Sequence, residues 1–280
     1  MVILGGGGSI LIHMYQNIIS VENLLVSWRE FLRGKRKRAD VAEFSLRFSE
    51  NILLLYKDLM DKTYKHSFYS AFNVSDPKPR NIHKASVRDR LLHHAIYKVL
   101  YPYFDNRFIY DSYSCRNFKG THKAMERFKQ FGYTVSKNNT KTCWILKCDV
   151  KKFFASVDQK ILIEILKRHI KDEDTIWLLE KVINSFNSGI AGKGLPLGNL
   201  TSQLLVNIYM NEFDQYVKHK LKVKYYIRYA DDFLILHLDK QYLTANLRYI
   251  ANYLNQELKL QLHPNKVFIK TLSSGIDFLG

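Results

Sequence analysis

Cysteine is scarce in this chain of 280 residues, and long apolar runs are missing from it. The three cysteines, Cys115, Cys143 and Cys148, are odd in number and form no CxxC pair. A disulfide framework is therefore not expected, and a reducing cytosol is the natural compartment. No uninterrupted apolar segment reaches the roughly 20 residues that cross a bilayer. These absences argue against a disulfide-stabilised secreted domain and against a membrane-spanning protein.

Acidic residues are also few relative to basic ones. The chain has 26 Asp and Glu against 43 Lys and Arg, a formal net charge of +17. Such an excess attracts polyanions, of which nucleic acid is the commonest in a cell. The run Lys35-Arg36-Lys37-Arg38 follows a predicted helix end. Two interpretations of this run stay open, a solvated loop and a contact to a phosphate backbone.

Both ends of the sequence are unusual. Residues 1–13 read MVILGGGGSILIH, with no basic region before the apolar residues and a glycine run that interrupts them. They make a poor signal peptide, and we expect a non-native or disordered extension before Met14. The chain stops at Gly280 inside a predicted strand, residues 276–279. We therefore expect a further C-terminal part outside this sequence.

Hydrophobic periodicity predicts an α+β protein. In the first half, helices are predicted over residues 21–32, 44–59 and 87–100, the last ending before Pro102, and Pro77 and Pro79 mark a loop. The second half reads as strands and helices in the order β-α-α-α-β-β-α-β. The predicted ranges are 143–148, 158–170, 174–186, 202–221, 225–229, 233–238, 243–258 and 266–272. This order predicts an antiparallel sheet with helices on one face.

The chemistry is expected at Asp231 and Asp232, which lie at the tip of a predicted hairpin. Consecutive carboxylates repel each other, and neither has an obvious neighbouring lysine as a partner. An isolated pair of this kind is often a solvated turn. Here Asp149 ends a second apolar strand and could bring a third carboxylate to the same point. Three carboxylates could hold two Mg²⁺ ions about 3.5–4 Å apart for phosphoryl transfer.

Several motifs, all in family order, resemble those of reverse transcriptases. Tyr229-Ala230-Asp231-Asp232 resembles the YxDD box, and the segment Asp149–Asp158 resembles the first palm motif with its leading metal-binding acid. Gly194–Gln203 resembles the nucleotide-pocket motif. Further resemblances are carried by Arg80 and by residues 87–90, 112–116, 262–266 and 278–280.

This resemblance implies the fingers and palm of a right-hand polymerase. The implied fingers cover residues 14–141, and the implied palm covers residues 142–280 with a fingers-like insertion around 170–197. The thumb would lie outside this sequence. The implied activity is RNA-directed DNA synthesis with two Mg²⁺ ions, or Mn²⁺ in their place. The implied partners are an RNA template, a DNA or RNA primer and deoxynucleoside triphosphates, in the cytoplasm of a bacterial or phage-infected cell.

The resemblance also implies roles for individual residues. Asp149, Asp231 and the Val150 carbonyl would bind metal, with Asp232 supporting the site. Lys266 would protonate pyrophosphate, unless it is a solvated lysine, and Phe154 would be a steric gate, unless it is a core aromatic. The residues implied near the nucleotide are Arg80, Arg88, Leu197, Gly198 and Gln203; those implied on nucleic acid are Lys35, Arg36, Lys37, Arg38 and Arg116. A surface ion pair is the alternative for Arg80 and Arg88, and packing against the following helix is the alternative for Leu197.

One departure concerns the subfamily. Most reverse transcriptases carry Gln-Gly and Ser-Pro in the pocket motif, whereas this chain has Leu197-Gly198 and Ser202-Gln203. That pattern resembles the enzymes of diversity-generating retroelements, which copy RNA with errors at adenines and work with a small basic helical accessory protein. The alternatives are a group II intron, retron or abortive-infection reverse transcriptase, an RNA-dependent RNA polymerase, and a catalytically silent nucleic-acid-binding palm.

Replacing Phe154 with alanine tests the steric gate. We expect ribonucleotide incorporation to rise, because the phenyl ring would otherwise clash with the 2′-hydroxyl. The measurement is the ratio of kcat/KM for ribonucleotides to that for deoxyribonucleotides. An unchanged ratio would assign Phe154 to the core.

Overall fold

A computed structural model describes residues 13–75 and 79–279. Apart from His13, the expected N-terminal extension lies outside these residues. The described chain forms two compact units. The first unit contains the residues up to Phe104 together with Gln159–Leu204. The second contains Asp105–Asp158 together with the residues from Leu205 onward.

Eleven α-helices and six strands make up the described ranges. In chain order they are α1 (Met14–Ile19), α2 (Val21–Phe31), α3 (Ala39–Leu46), α4 (Phe48–Met60), β1 (Ser70–Val74), β2 (Arg80–Lys84), α5 (Val87–Asp105), α6 (Thr121–Val135), β3 (Trp144–Asp149), α7 (Phe153–Ser156), α8 (Gln159–His169), α9 (Glu173–Ile183), α10 (Leu200–Gln215), β4 (Tyr226–Tyr229), β5 (Asp232–His237), α11 (Lys240–Gln256) and β6 (Phe268–Thr271). A π-helical turn, Tyr216–Lys220, continues α10, and a 3-10 turn, Leu272–Ser274, follows β6. The α+β prediction is confirmed. None of the helices in these ranges has the length and apolarity needed to cross a membrane.

Helix α2 of the first unit is stabilised by an N-terminal cap and by a buried apolar face. The Ser20 side chain accepts a hydrogen bond from the Asn23 amide at 3.2 Å, which satisfies one of the unpaired donors of the first turn. Leu24, Trp28 and Phe31 repeat on one face and are buried. The Trp28 ring stacks against Phe31 with centroids 5.5 Å apart. The predicted helix over residues 21–32 is confirmed.

The helix predicted over residues 44–59 is divided in two at Arg47. Its φ of −115° and ψ of 38° leave the helical region. Trp28 packs between rings on either side of the break, with centroids 5.1 Å from Phe44 and 5.2 Å from Phe48. The Asn51 side chain donates to the Phe44 carbonyl at 3.0 Å. Tertiary packing and this cap therefore override a continuous helical pattern.

The sequence led us to expect that α5 ends before Pro102, but the helix does not end there. The helix continues to Asp105, with Pro102 inside it. A proline inside a helix removes one backbone hydrogen bond and costs roughly 3 kcal/mol. Leu100, Tyr101 and Phe104 are all buried on this last part. Their burial offsets the missing bond.

The hairpin of β1 and β2 was not predicted, and of the two prolines that marked the predicted loop, Pro77 lies outside the described residues. The two strands pair antiparallel from Ser70↔Lys84 to Val74↔Arg80. Every residue of β1 is exposed, so no apolar alternation marks it as a strand. Helices α1 and α6 were also missing from the predicted elements.

The second unit is built on an antiparallel sheet in the order β4-β5-β3-β6. Strands β3 and β5 pair from Trp144↔His237 to Asp149↔Asp232. The four middle residues of each of these strands are buried. Both faces of the two central strands therefore need cover.

Helices cover both faces of this sheet, so the prediction of helices on one face is wrong. Phe128 and Phe131 of α6 share a core cluster with Leu234. The neighbouring residue Phe233 points to the opposite face, since side chains alternate along a strand. There its ring lies 5.1 Å from that of Phe213 in α10. Continuous apolar runs in central strands are typical of sheets buried on both sides.

The strand predicted at residues 276–279 is also absent, since this segment has no regular secondary structure. Phe278 is nevertheless buried and lies 5.7 Å, centroid to centroid, from Phe128. The apolar pattern here reports packing onto the core of the second unit and not strand pairing.

Candidate active site

The three predicted catalytic acids lie at one end of the sheet in the second unit. Asp149, the last residue of β3, is directly opposite Asp232, the first residue of β5. Asp231 occupies the two-residue turn that joins β4 to β5, and its carbonyl accepts a hydrogen bond from the Val150 amide at 3.1 Å. The predicted hairpin with acids at its tip is confirmed. Pairing of distant strands thus brings Asp149 to the hairpin.

Lysines accompany two of these acids, contrary to the expectation that none was available. Lys147 Nζ lies 3.0 Å from Asp232 Oδ2, and Lys266 Nζ lies 3.0 Å from Asp149 Oδ2. Lys147 precedes Asp149 by two residues and so shares its strand face, which is also the face of Asp232. Lys266 comes from a segment far along the chain. Neither contact follows from adjacency in sequence.

Burial makes Asp232 an unusual carboxyl group. It raises the pKa of Asp232 to about 6, against the opposing charge of Lys147 and with smaller contributions from Asp149 and Asp231. Lys147 compensates only partly, because its ammonium also donates to the Asp277 carbonyl. Asp232 Oδ1 is buried and has no hydrogen-bond partner among the described residues. An orphaned, partly dehydrated carboxylate oxygen is costly unless a cation or proton joins it.

These oxygens are the kind of donor that Mg²⁺ and Mn²⁺ take. The fit is partial. Over residues 13–75 and 79–279, no three His, Cys, Asp or Glu side chains are arranged to hold one ion. The Oδ2 atoms of Asp149 and Asp232 are held by lysines, whereas Asp232 Oδ1 is unpaired. The predicted ligand set, including the Val150 carbonyl, therefore stays a prediction.

Phe154 lies in the short helix α7, five residues after Asp149. Its ring is half-buried and packs edge-on against Phe153, with centroids 5.6 Å apart. Phe153 is buried at 3% exposure. The two neighbouring phenylalanines thus divide as expected, with Phe153 in the core and Phe154 partly accessible. The steric-gate role stays a prediction.

In the first unit the pocket motif lies against β2. The His83 amide donates to the Leu197 carbonyl at 3.0 Å, and the Asn199 side chain donates to the His83 carbonyl at 2.7 Å. Gly198 has a φ of +102°, and a Cβ there would lie 2.7 Å from Ile82 Cγ2. Close backbone approach therefore requires glycine at this position. Leu197 is half-buried.

The other residues predicted to contact the nucleotide differ in their exposure and in the partners they already have. Arg80, at the start of β2, is exposed, and Gln203 is half-buried in the first turn of α10. Arg88 is already engaged in the first unit. Its guanidinium pairs with Asp58 at 2.5 Å and lies 4.9 Å from the centre of the Tyr64 ring. The structure brings Leu197 and Gly198 beside the strand that begins with Arg80.

Only some of the residues predicted to contact nucleic acid have side chains that are exposed to solvent. Arg36, Lys37 and Arg38 are exposed, whereas Lys35 turns back so that its ammonium donates to the Phe31 carbonyl at 3.1 Å. Arg116 has only 7% of its side chain exposed, and its Nε donates to Asp105 at 2.7 Å. The other guanidinium nitrogens of Arg116 donate to the carbonyls of Asp105, Ile109 and Ser112. This placement favours a structural role for Arg116.

Two further residues were not found from the sequence. Lys147, described above, could have been found from its period-two spacing to Asp149. Gln159 is buried and donates from Nε2 to the carbonyls of Ile183, Phe186 and Gly194, at 3.1, 2.6 and 2.9 Å. It thereby fixes the loop that leads into the pocket motif. A buried glutamine of this kind gives no signal in sequence.

The family model described as "Reverse transcriptase (RNA-dependent DNA polymerase)" matches residues 72–280. The chain belongs to the reverse transcriptase family. This reverse transcriptase is similar to Protein YkfC of Escherichia coli K12, with 27% identity over 243 residues that cover 74% of this chain and 63% of that protein.

Two further relatives carry names that refer to introns. One is the putative COX1/OXI3 intron 2 protein of Saccharomyces cerevisiae, 22% identical over 293 residues, which cover 81% of this reverse transcriptase and 33% of that protein. The other is the group II intron-encoded protein LtrA of Lactococcus lactis subsp. cremoris, 26% identical over 187 residues, which cover 63% and 29%. The chain spans less than two thirds of the length of each of these three relatives.

Replacing Asp232 with asparagine tests its electrostatics. A carboxyl group whose folded pKa is raised from 3.8 to about 6 favours folding at low pH and loses that contribution as pH rises through 6. Without metal, wild type should therefore gain stability relative to Asp232→Asn as pH falls from 7.5 towards 5. We expect Tm of wild type minus that of the variant to increase by about 2–6 °C.

The measurement is a series of thermal melts in a chelating buffer. A Tm difference that stays constant across this range would show that Asp232 titrates as an ordinary exposed carboxyl group does.

Proposed function

We propose that this chain is an RNA-directed DNA polymerase that uses two-metal phosphoryl transfer at Asp149, Asp231 and Asp232. One observation carries the proposal. In a member of the reverse transcriptase family, the strand register sets Asp149 opposite Asp232, with Asp231 in the adjoining turn. Asp232 Oδ1, which is buried and has no hydrogen-bond partner among the described residues, adds the need for a cation or a proton at this point.

The proposed reaction joins the 3′-hydroxyl of a primer to the α-phosphate of a nucleotide and releases pyrophosphate. Bound divalent ions would activate the hydroxyl and stabilise the leaving group. The carboxylates of Asp149 and Asp231 would hold these ions, and Asp232 would support the site. Lys266 is 49% exposed and can carry a proton to the leaving pyrophosphate. Its contact with Asp149 already places it at the site.

Nucleic acid is the proposed partner, as an RNA template with a DNA or RNA primer. The net charge of +17 supplies the sequence-independent attraction. The exposed residues Arg36, Lys37 and Arg38 are the proposed phosphate contacts near α2. Arg80, Leu197, Gly198 and Gln203 are the proposed pocket residues. In this proposal residues 14–141 form the fingers, and residues 142–280 form the palm with a fingers-like insertion around residues 170–197.

For the subfamily we favour a diversity-generating retroelement, in which a small basic helical protein would assist the enzyme. Leu197 and Gln203 support this choice. A group II intron-like enzyme is the second candidate, because two of the relatives are named for introns. The two candidates predict different copying fidelity. An aliphatic side chain at position 197 offers the nucleotide no hydrogen bond, so a mutagenic enzyme of the first kind would discriminate less than one with glutamine there.

Asp231→Asn tests the polymerase proposal. The amide keeps the shape of the side chain but removes the charge, so nucleotide incorporation should fall by about a hundredfold or more. The assay is primer extension on an RNA template with Mg²⁺. Asp239→Asn is a matched control, because this exposed acid only caps α11 and asparagine caps equally well.

Equal incorporation by wild type and Asp231→Asn would reject the assignment. Loss of activity in both variants, together with lowered Tm, would point to unfolding instead of catalysis.

Leu197→Gln tests the subfamily. One added hydrogen bond is worth roughly 0.5–1.5 kcal/mol, or about threefold to tenfold in selectivity. We expect misincorporation opposite template adenine to fall by that factor. Ile190→Gln makes the same kind of change at a position that is 60% exposed in the preceding loop, and it should leave the error rate unchanged.

The readout is sequencing of cDNA copied from one adenine-rich RNA by each active enzyme. Identical adenine error rates in wild type and Leu197→Gln would remove Leu197 from the mutagenic mechanism.

A further inference from the structure

Arg228, in β4, is a fully buried cation two residues before the turn of the candidate active site. Its side chain and that of Asp214 in α10 are both 0% exposed. The two form a bidentate pair, with Nε 2.7 Å from Asp214 Oδ1 and Nη2 2.6 Å from Oδ2. The Tyr226 hydroxyl also donates to Asp214, at 2.7 Å.

The remaining donors of Arg228 reach beyond this pair. Nη1 donates to the Ala230 carbonyl at 3.0 Å and to Asn207 Oδ1 at 3.3 Å. Nη2 also donates to Ser112 Oγ at 3.1 Å. A guanidinium has five N–H groups, and these contacts engage each nitrogen as fully as its hydrogens allow. The geometry is complete enough to offset the cost of burying the charge.

The bond to Ala230 matters because that residue is strained. Its φ is +55°, a conformation that costs roughly 1–3 kcal/mol outside glycine and persists only where the surroundings enforce it. Two donors enforce it here. Arg228 holds the Ala230 carbonyl, and the Val150 amide holds the carbonyl of Asp231. Each of the two carbonyl groups of the turn is therefore held by a hydrogen bond.

Stability alone does not require such an arrangement. Buried ion pairs can often be replaced by apolar side chains of similar volume with no loss of stability. An apolar residue at position 228 could not donate to the Ala230 carbonyl. The hydrogen bond to the Ala230 carbonyl is therefore the contribution that an apolar replacement would remove.

We propose that Arg228, held by Asp214, is a positioning residue that fixes the Ala230–Asp231 turn and thereby aims the Asp231 carboxylate. The catalytic use of that carboxylate rests on the proposed function. The fixing of the turn does not, and it can be measured without metal or substrate.

The first experiment is hydrogen exchange on the metal-free protein, with Arg228→Lys against wild type. Lysine keeps the charge but cannot reach Asp214 and Ala230 together. Exchange of the Val150 amide should rise by about tenfold relative to the amides of Leu146 and Cys148 in the preceding strand β3. Equal acceleration of all three amides would show a purely structural role and overturn the proposal.

Arg127→Lys is the matched control. Arg127 forms a second arginine–aspartate pair in the same unit, with Nε 2.8 Å from Asp111. Its other side-chain hydrogen bonds are with Gln130 and Asp111, and its guanidinium lies over the rings of Tyr110 and Phe131, so that its contacts do not include the turn. This variant should leave the relative exchange of Val150 unchanged. Selective exposure of Val150 in Arg127→Lys would count against a role specific to Arg228.

A double variant, Arg228→Met with Asp214→Leu, separates stability from positioning. Because no unpaired charge stays buried, Tm should fall less in the double variant than in Asp214→Leu alone, while Val150 stays exposed to exchange. In primer extension, kcat should fall by about tenfold to a hundredfold, and the Mg²⁺ concentration for half-maximal activity should rise. A double variant with wild-type Val150 protection and wild-type kcat would overturn the proposal, even if Arg228→Lys does not fold.

Failure of this inference differs from failure of the proposed function. A wild type that shows no incorporation but protects Val150 through Arg228 would reject the polymerase activity alone. A wild type that polymerises, with Asp231→Asn inactive and Arg228→Lys unchanged in both readouts, would reject the positioning role alone.

Discussion

The pairing of β3 with β5 is the constraint on which the candidate site depends. Side chains alternate between the two faces of a strand, so a shift of one residue would turn every side chain to the other face. In the observed register Ile145 lies opposite Leu236, and Asp149 opposite Asp232. A single register of β3 against β5 therefore sets both the apolar pairs and the acidic pair. Burial of the central residues selects the register, and the site at the end of the sheet follows from it.

Burial also explains why the acids are unlike those of a surface turn. Asp232 is removed from water, and Lys147 balances its charge only in part because it also serves the Asp277 carbonyl. One carboxylate oxygen has no hydrogen-bond partner in the part of the chain that the structure describes. A folded chain retains such a cost where the site has another use for the charge. The contacts with Lys147 and Lys266 lower the electrostatic cost of placing these acids together, but they do not neutralise the acids fully.

The sequence predicted the hairpin, the central strands and most helices because each has a strong local pattern. It could not predict features that come from distant packing. The break at Arg47 depends on Trp28, and the passage of α5 through Pro102 depends on burial of Leu100 and Phe104. The cover on both sheet faces could have been inferred from the unbroken apolar run of residues 233–236 in β5. Of the site, the acids and the spacing of Lys147 to Asp149 were visible in sequence. The hydrogen bonds of Gln159 and the contact of Lys266 with Asp149 depend on the tertiary fold.

Lys147 has a further consequence during synthesis of the chain. Strand β3 emerges from the ribosome well before β5 and β6, its two partners in the sheet, and must wait unpaired. An apolar β-strand in that state is a template for aggregation, and a charge within it suppresses self-association. The sequence Trp144-Ile145-Leu146-Lys147-Cys148 carries one such charge at its fourth position. The residue that balances Asp232 in the folded protein thus also protects the nascent chain before that acid has been made.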